Sequence, residues 1–365
     1  MANKTIGIDI REANGEGAGK GIYTEEITHA LIRQAPNLKF FLFTKEANSR
    51  FENTENVQQV VINGKGLAWH FKLKQFLNQH PVDLFLATTS YIYPAIAPKD
   101  QKIAMVVHDL IAFRHPEHNH WFSTMLEKFT LGRALKNTNL VVTVSSHTWR
   151  DLVLFKPEAQ KIPRVVAYPA VNKDIRSTSQ RRMDLPDRFL LAVGTLQPRK
   201  NIQGVIKAFE KVAEAKPQLH LCIAGGKGWK SSAIFEAIPE WLKERIHFLG
   251  YVRHDELIEL YSRAQMLVFP SFYEGFGIPP LEAMACGCPV ITSDLSSLPE
   301  VVGSAALMVN PDDTDEIADA INQLLGPQMQ SVAQERGLKQ VSEFSWDESA
   351  SGILNQVLKL TNHRT

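Results

Sequence analysis

The chain of 365 residues contains only three cysteines, no apolar run of the length a bilayer crossing needs, and no surplus of charge of either sign. Each scarcity excludes something. Three cysteines cannot all pair with one another, and Cys286 and Cys288 stand in a C-x-C spacing that is neither the redox nor the zinc C-x-x-C pattern, so a reduced, cytoplasmic setting is expected. No stretch approaches about 18 apolar residues without a charge or a turn former, which argues against a spanning helix. The opening segment meets Asp9 and Arg11 too early to read as a secretory leader. Lysine and arginine number 40 against 39 aspartate and glutamate, and no basic run interleaves with aromatics, so nucleic acid is not an expected partner. What is present, 44% apolar and 22% charged residues, suits a globular chain with two cores at about 100–200 residues per domain.

The balanced total conceals an asymmetry. Through residue 180 there are 22 Lys and Arg against 16 Asp and Glu, and after it 18 against 23. A basic N-terminal side suits an anionic acceptor or a membrane surface, as well as an ordinary solvated face. Along the chain, short β-branched runs alternate with segments of helical period. Strands are expected at 5–10, 38–44, 57–62, 83–87, 103–107, 139–144 and 164–168, with helices at 22–33, 67–79 and 118–136 among them. After the polar, aperiodic stretch 173–188, strands restart at 189–193, 219–224, 245–249, 265–269, 289–293 and 305–309. This pattern predicts an α/β chain of two Rossmann-like domains facing a cleft: residues 1–172, a linker over 173–188, a second domain over 189–345, and an amphipathic closing helix in 346–365.

The glycine-rich turn after the first expected strand, Gly15-Glu-Gly17-Ala-Gly19-Lys-Gly21, could bring backbone N–H groups to an anion. Two nucleotide-binding patterns fail on it. A P-loop ending at Gly19-Lys20 needs glycine at 14 and a hydroxyl at 21, where Asn14 and Gly21 stand. A dinucleotide fingerprint needs glycine at 20 or 22, where Lys20 and Ile22 stand. Gly19 and Gly21 are kept as a candidate phosphate or acceptor loop.

In the second half, Val193-Gly-Thr-Leu-Gln-Pro-Arg199-Lys200-Asn201 follows the first strand. Two adjacent cations near a helix start oppose the helix dipole, a placement that an anionic ligand explains better than solvent does. A third feature is Pro270-Ser-Phe-Tyr-Glu274-Gly-Phe-Gly-Ile-Pro-Pro-Leu-Glu282, a strand exit, a loop with two glycines and a helix start. Pro279 or Pro280 suits the first helical position, placing Glu282 in the first turn and Glu274 in the loop. Two carboxylates beside an amide-rich helix tip suit a polyol phosphate.

Glu274-x7-Glu282 resembles the E-x7-E motif of retaining GT-B glycosyltransferases, the large family-four group. The segments 193–201, Ala224-Gly-Gly-Lys-Gly-Trp229, Phe248-Leu-Gly-Tyr-Val252 and Phe344-Ser-Trp346 are similar to its signatures, as are Gly19-Lys-Gly-Ile-Tyr23, Val107-His-Asp-Leu110 and Val144-Ser-Ser146, all in family order. The resemblance implies a donor nucleotide sugar held by the C-terminal domain and a final helix crossing back to the first. It implies Arg199 and Lys200 on the donor diphosphate, Glu282 on the ribose hydroxyls, Glu274 on the transferred sugar, and the amides of Phe276, Gly277 and Ile278 on sugar and phosphate. Gly275, Thr195 and Asn201 would line the donor site, Tyr251 and Val252 the base, and His108 the sugar and acceptor. Many relatives carry arginine where this chain has Thr195, and Arg199 then supplies the second cation. The subgroup resemblance points first to GDP-mannose as donor, with UDP-sugars left open, and to a saccharide or lipid-linked acceptor in polysaccharide or glycolipid assembly. Same-fold and other-class rivals are a sugar-nucleotide epimerase and a non-catalytic sugar-nucleotide-binding protein.

Asp313-Thr-Asp315 spells a D-x-D that other sugar transferases use for a metal, but after Pro311 and before a helical stretch it reads as a helix cap, so no metal and no cofactor are expected. The stretch 66–76, with Lys72 and Lys74 among aromatics, could touch an anionic membrane but reads better as a helix packed on its own sheet, and the same holds for Trp121 and Phe122.

Overall fold

The five residues Ile103-Ala-Met-Val-Val107 carry no polar side chain, and all five are buried, as a strand covered on both faces of a parallel sheet must be. The same logic runs through the protein. The structure is a computed structural model and describes residues 4–13, 19–118, 121–172, 175–226, 228, 234–235 and 238–362.

The first unit holds β1 (Thr5–Asp9), α1 (Gly19–Gln34), β2 (Lys39–Thr44), β3 (Val57–Val61), α2 (Leu67–Gln79), β4 (Leu84–Ala87), α3 (Ile92–Ile96), β5 (Ile103–Val107), α4 (Ile111–Arg114), α5 (Trp121–Leu135), β6 (Leu140–Thr143), α6 (Ser146–Phe155) and β7 (Arg164–Val166). Its seven strands lie in the order β3-β2-β1-β4-β5-β6-β7, every pair parallel. The second unit holds β8 (Phe189–Val193), α7 (Ile202–Ala213), β9 (His220–Ala224), β10 (Ile246–Gly250), α8 (His254–Arg263), β11 (Met266–Phe269), α9 (Ile278–Ala285), β12 (Val290–Ser293), α10 (Leu298–Val302), β13 (Leu307–Val309), α11 (Thr314–Leu324) and α12 (Pro327–Val341). Its strands run β10-β9-β8-β11-β12-β13, again all parallel. Both sheets therefore have a switch point, beside β1 and beside β8, where the winding reverses and loops diverge at the strands' carboxyl ends.

Residues 1–169 and 345–365 form one unit and 170–344 the other. The last helix, α13 (Trp346–Asn362), belongs to the first unit. It lies along α1: Arg33 pairs with Asp347, Gln34 Nε2 donates to Asp347 O at 2.6 Å, and Trp346 meets the Tyr23 ring edge-on at 5.6 Å. Among the described residues of 173–188, the expected linker, several are tied into the second unit. The backbone N–H groups of Arg182 and Met183 donate to Glu259 of α8, and that of Thr178 to Ser262. Polar, aperiodic sequence reads as linker, yet a buried carboxylate on a neighbouring helix gives its backbone donors a partner.

Asp313 caps α11, its Oδ1 accepting from the N–H groups of Asp315 and Glu316 at 2.9 and 3.0 Å, while Asp315 pairs with Lys211 at 2.6 Å. The D-x-D is thus a cap and a surface ion pair. Helix α2 occupies the expected span with Trp69 and Leu73 buried and Lys74 Nζ donating to Ile96 O. Trp121 and Phe122 depart from expectation: they stand 69% and 53% exposed on the outer side of α5.

Candidate active site

Strand β8 lies between β9 and β11, so the loops leaving β8 and β11 start side by side at the switch point of the second sheet. They carry the two motifs. The first loop ends in a tight turn, Pro198–Lys200, followed by Asn201 in the left-handed region at φ 54°, which caps α7. The Phe272 N–H donates to Arg199 O at 2.9 Å and stitches the loops together. This brings side chains 74 residues apart in sequence into one cluster. Lys200 Nζ sits 2.7 Å from Glu274 Oε1, and Arg199 Nη1 sits 3.0 Å from Glu274 Oε2 and 3.2 Å from Tyr273 O. Lys200 also lies over the Phe269 ring, 4.7 Å from its centroid.

Burial works against the charges of both Lys200 and Glu274. It pushes the Lys200 ammonium down from its ordinary value, with the Glu274 carboxylate resisting. Burial alone would raise Glu274, but Lys200 and Arg199 outweigh it and hold the carboxyl below the usual range. The carboxylate is therefore ionised and bracketed by two cations in a largely buried setting, an arrangement suited to a negative group that arrives with a hydroxylated partner.

The backbone after Glu274 is held by serines: Glu274 N donates to Ser296 Oγ at 3.0 Å, and Ser297 Oγ donates toward the carbonyls of Glu274 and Phe276 at 2.9 and 2.7 Å. Gly277 caps α9 at φ 111°, and a Cβ there would lie 2.6 Å from Leu298 Cδ2, so only glycine fits. The helix starts at Ile278, so Pro279 is second and Pro280 third, not first. These prolines remove two of the open N–H groups of the tip, leaving those of Gly277 and Ile278 as its donors.

Glu282 is consequently the fifth helical residue, beyond the first turn where a carboxylate would serve the dipole. It is buried and accepts from Tyr261 of α8, the hydroxyl 3.1 Å from Oε2. Burial pushes its carboxyl up to about 7 against the pull of Tyr261. No motif marks Tyr261, Ser296 or Ser297; their roles arise only from packing.

The remaining candidates divide. Gly275 and Phe276 lie in the same loop, Phe276 edge-on to Phe344 at 5.5 Å, and Thr195 is exposed on the neighbouring one. Tyr251 is 68% exposed and Val252 half-buried, just past β10. Asn201 points inward: Oδ1 accepts from Gly204 N at 3.2 Å and Nδ2 donates to Pro311 O at 2.7 Å, so its expected contact with the donor gives way to a cap. Asn201→Ala should lower stability by about 1–2 kcal/mol, the cost of a lost N-cap, with nucleotide affinity unchanged by calorimetry. Lys227 and Trp229 lie outside the described residues.

In the first unit, His108 follows β5 and is buried, Nε2 2.7 Å from Thr88 O and the ring edge-on to Tyr23 at 5.1 Å. A carbonyl only accepts, so Nε2 carries the proton. Burial, then Lys20, pushes this histidine down to about 4, keeping it neutral near pH 7. Of the glycine loop, Gly15 and Gly17 lie outside the described residues. Gly19 opens α1 on the surface. Gly21 is buried where a Cβ would lie 2.5 Å from Glu12 O, so close packing against backbone by itself accounts for the glycine there.

Two doubly wound parallel sheets, the second with a cation–carboxylate cluster at its switch point, define the architecture of GT-B glycosyltransferases. Residues 175–339 match the family described as glycosyl transferases group 1. Over 267 residues the chain is 33% identical to the O-antigen chain mannosyltransferase B of Escherichia coli, with 70% of each chain covered. Over 241 residues it is 34% identical to the O-antigen chain mannosyltransferase RfbU of Salmonella typhimurium, covering 66% of this chain and 64% of that one. Its fold matches the sucrose-phosphate synthase of Thermosynechococcus elongatus with a TM-score of 0.78 at 20% identity, over 99% of this chain and 100% of the other. It matches Anabaena HepE in complex with UDP and glucose at 0.76 and 18%, over 97% and 99%. The chain belongs to the glycosyl transferases group 1 family and is a glycosyltransferase.

Proposed function

We propose that this glycosyltransferase moves mannose from GDP-mannose to a saccharide or lipid-linked acceptor with retention of anomeric configuration. The observation that carries the reading is the Arg199–Lys200–Glu274 cluster at the switch point, beside the Gly277 tip of α9. Mannose as the sugar is supported by the names of the two O-antigen mannosyltransferases above. Arg199 and Lys200 take the diphosphate, helped by the amides of Gly277 and Ile278 and, one residue earlier, Phe276. Glu282 takes the ribose hydroxyls, Tyr251 and Val252 lie toward the base, and Thr195 and Gly275 line the donor. Glu274 holds the transferred sugar, and His108, a neutral hydrogen-bonding group, serves the sugar and acceptor. The acceptor belongs to the N-terminal unit, whose basic surplus suits an anionic acceptor or a membrane surface.

In the reaction the bond from C1 of the sugar to the donor phosphate breaks as the acceptor oxygen forms a bond to C1 on the same face. The hydroxyl proton passes to a phosphate oxygen of the departing nucleoside diphosphate. Charge grows on that phosphate, and preorganised cations and amides aimed at it supply the main stabilisation. The two cations supply the neutralising charge, so the reading assigns no metal, and full activity in a chelator is the expected check.

The test is product analysis by NMR with a panel of nucleotide sugars and saccharide acceptors. Transfer with retention supports the reading; isomerisation of the free donor, or binding without turnover, replaces it with an epimerase or a binding protein. A pH effect follows. Glu282 must be ionised to accept from two ribose hydroxyls, so GDP affinity should rise as pH passes about 7, and Glu282→Gln should flatten that rise. Stability moves oppositely: the folded value exceeds the ordinary 4.5, so this group's contribution is full below about pH 4.5 and lost as pH rises through about 7.

A further inference from the structure

Helix α5 carries Trp121, Phe122, Met125 and Phe129 within its first two and a half turns. At 3.6 residues per turn, positions 121, 125 and 129 advance by about 40° each, and 122 falls beside 129, so all four occupy one narrow face. That face is outward: the four side chains are 69%, 53%, 54% and 72% exposed, while Leu131 and Ala134 on the other side are buried in the core beneath the first sheet. Single exposed apolar residues are ordinary on a protein surface; four large ones in one stripe, with a tryptophan at its end, mark a surface that meets something apolar.

The charges around the stripe choose among occupants. Lys128 lies along its edge, and Lys136, about two turns past Phe129, stands just beyond the end of the helix; both are exposed. Glu127 projects from the opposite side of the helix and is half-buried, and Glu117, on the turn before α5, sits 3.2 Å from His115. A second copy of the chain, offering the same basic stripe, would bring like charges together. An aromatic and aliphatic face edged by lysines matches the boundary of an anionic bilayer, where rings sit among headgroups and ammonium groups meet lipid phosphates.

We propose that the outer face of α5 docks the enzyme on a membrane surface bearing anionic lipid. The proposal deepens the functional reading, since it rests on an acceptor presented at such a surface, but it concerns residues outside the donor cluster. One face of a single helix makes a reversible, salt-sensitive attachment, because each element alone is weak.

The experiment is sedimentation of the full chain with vesicles of phosphatidylcholine alone and of phosphatidylcholine mixed with phosphatidylglycerol, read without any transfer assay. Wild-type protein should pellet with the mixed vesicles, less so in raised salt, and Met125→Ser/Phe129→Ser should lower that partition about tenfold. A Lys128→Glu/Lys136→Glu variant should lose the preference for anionic lipid. GDP binding by all variants, unchanged, verifies the fold and keeps the donor reading separate. Equal partition of wild type and the serine variant overturns the proposal, as does a wild-type dimer that dissociates in that variant without vesicle binding. If vesicles bind as proposed but no sugar transfer is found, the docking surface stands and the transfer reading falls.

Discussion

Glu274→Gln should lower the transfer rate by about 10²- to 10³-fold, the scale of losing one preorganised group that acts only as charge develops. The substitution keeps the shape and one acceptor oxygen but removes the charge that Lys200 and Arg199 bracket at 2.7 and 3.0 Å. On the proposed reading, that carboxylate would compete with an incoming diphosphate for the same two cations. GDP binding by Glu274→Gln should therefore be no weaker than wild type, while turnover collapses. This split between binding and rate is what a positioning role for the sugar requires; a purely structural role would lower both through unfolding. Titration calorimetry and single-turnover kinetics on the same preparation read it, and a variant with wild-type turnover removes the assignment.

Lys200→Ala should act on the other side of that split. Its ammonium lies buried against Glu274 and the Phe269 ring, and in the complex it would face the diphosphate. Losing a charge-assisted hydrogen bond costs about 1.5–3 kcal/mol, roughly ten- to a hundredfold in GDP affinity. Truncating one member of a buried pair also destabilises, by about 3 kcal/mol toward the lower end of such losses, because Arg199 still reaches Glu274. Lys200→Arg restores charge but not shape at a site where the small ammonium fits against a ring, so its affinity should fall between the two. Thermal unfolding with and without GDP separates the two effects, since a ligand that binds only the folded state raises its stability in proportion to affinity.

Much of the architecture was legible in advance. Each expected strand is present within two residues of its expected limits, and α2 spans residues 67–79 as its periodicity indicates, because burial of alternating or continuous apolar residues is a local pattern. Asp313 read correctly as a cap for the same reason: its partners are two and three residues away. Three members of the charged cluster, Arg199, Lys200 and Glu274, were legible as chemistry-bearing residues, since two adjacent cations at a costly position call for an anion and a loop carboxylate suits hydroxyls; Glu282 is instead bonded to Tyr261. The inward turn of Asn201, the docking of 173–188 on α8, and the packing role of Gly21 were not legible. Each depends on a partner remote in sequence or on a backbone approach that no periodicity encodes. Trp121 and Phe122 misled by composition: aromatic residues on a helix belong in a core by default, and only the orientation of α5 shows that its buried face was already supplied by other residues.

Local pattern, then, was enough to establish two parallel α/β units and the loops that bear chemistry, because strand and helix periods and turn residues act over a few positions. Which atoms meet at those loops was settled by the folded chain alone. Adjacent β8 and β11 bring Lys200 to Glu274, and α8 presents Tyr261 to Glu282, through sheet order and helix packing. Such pairings span many residues of chain, and their geometry follows from how whole elements stack rather than from any short run of sequence.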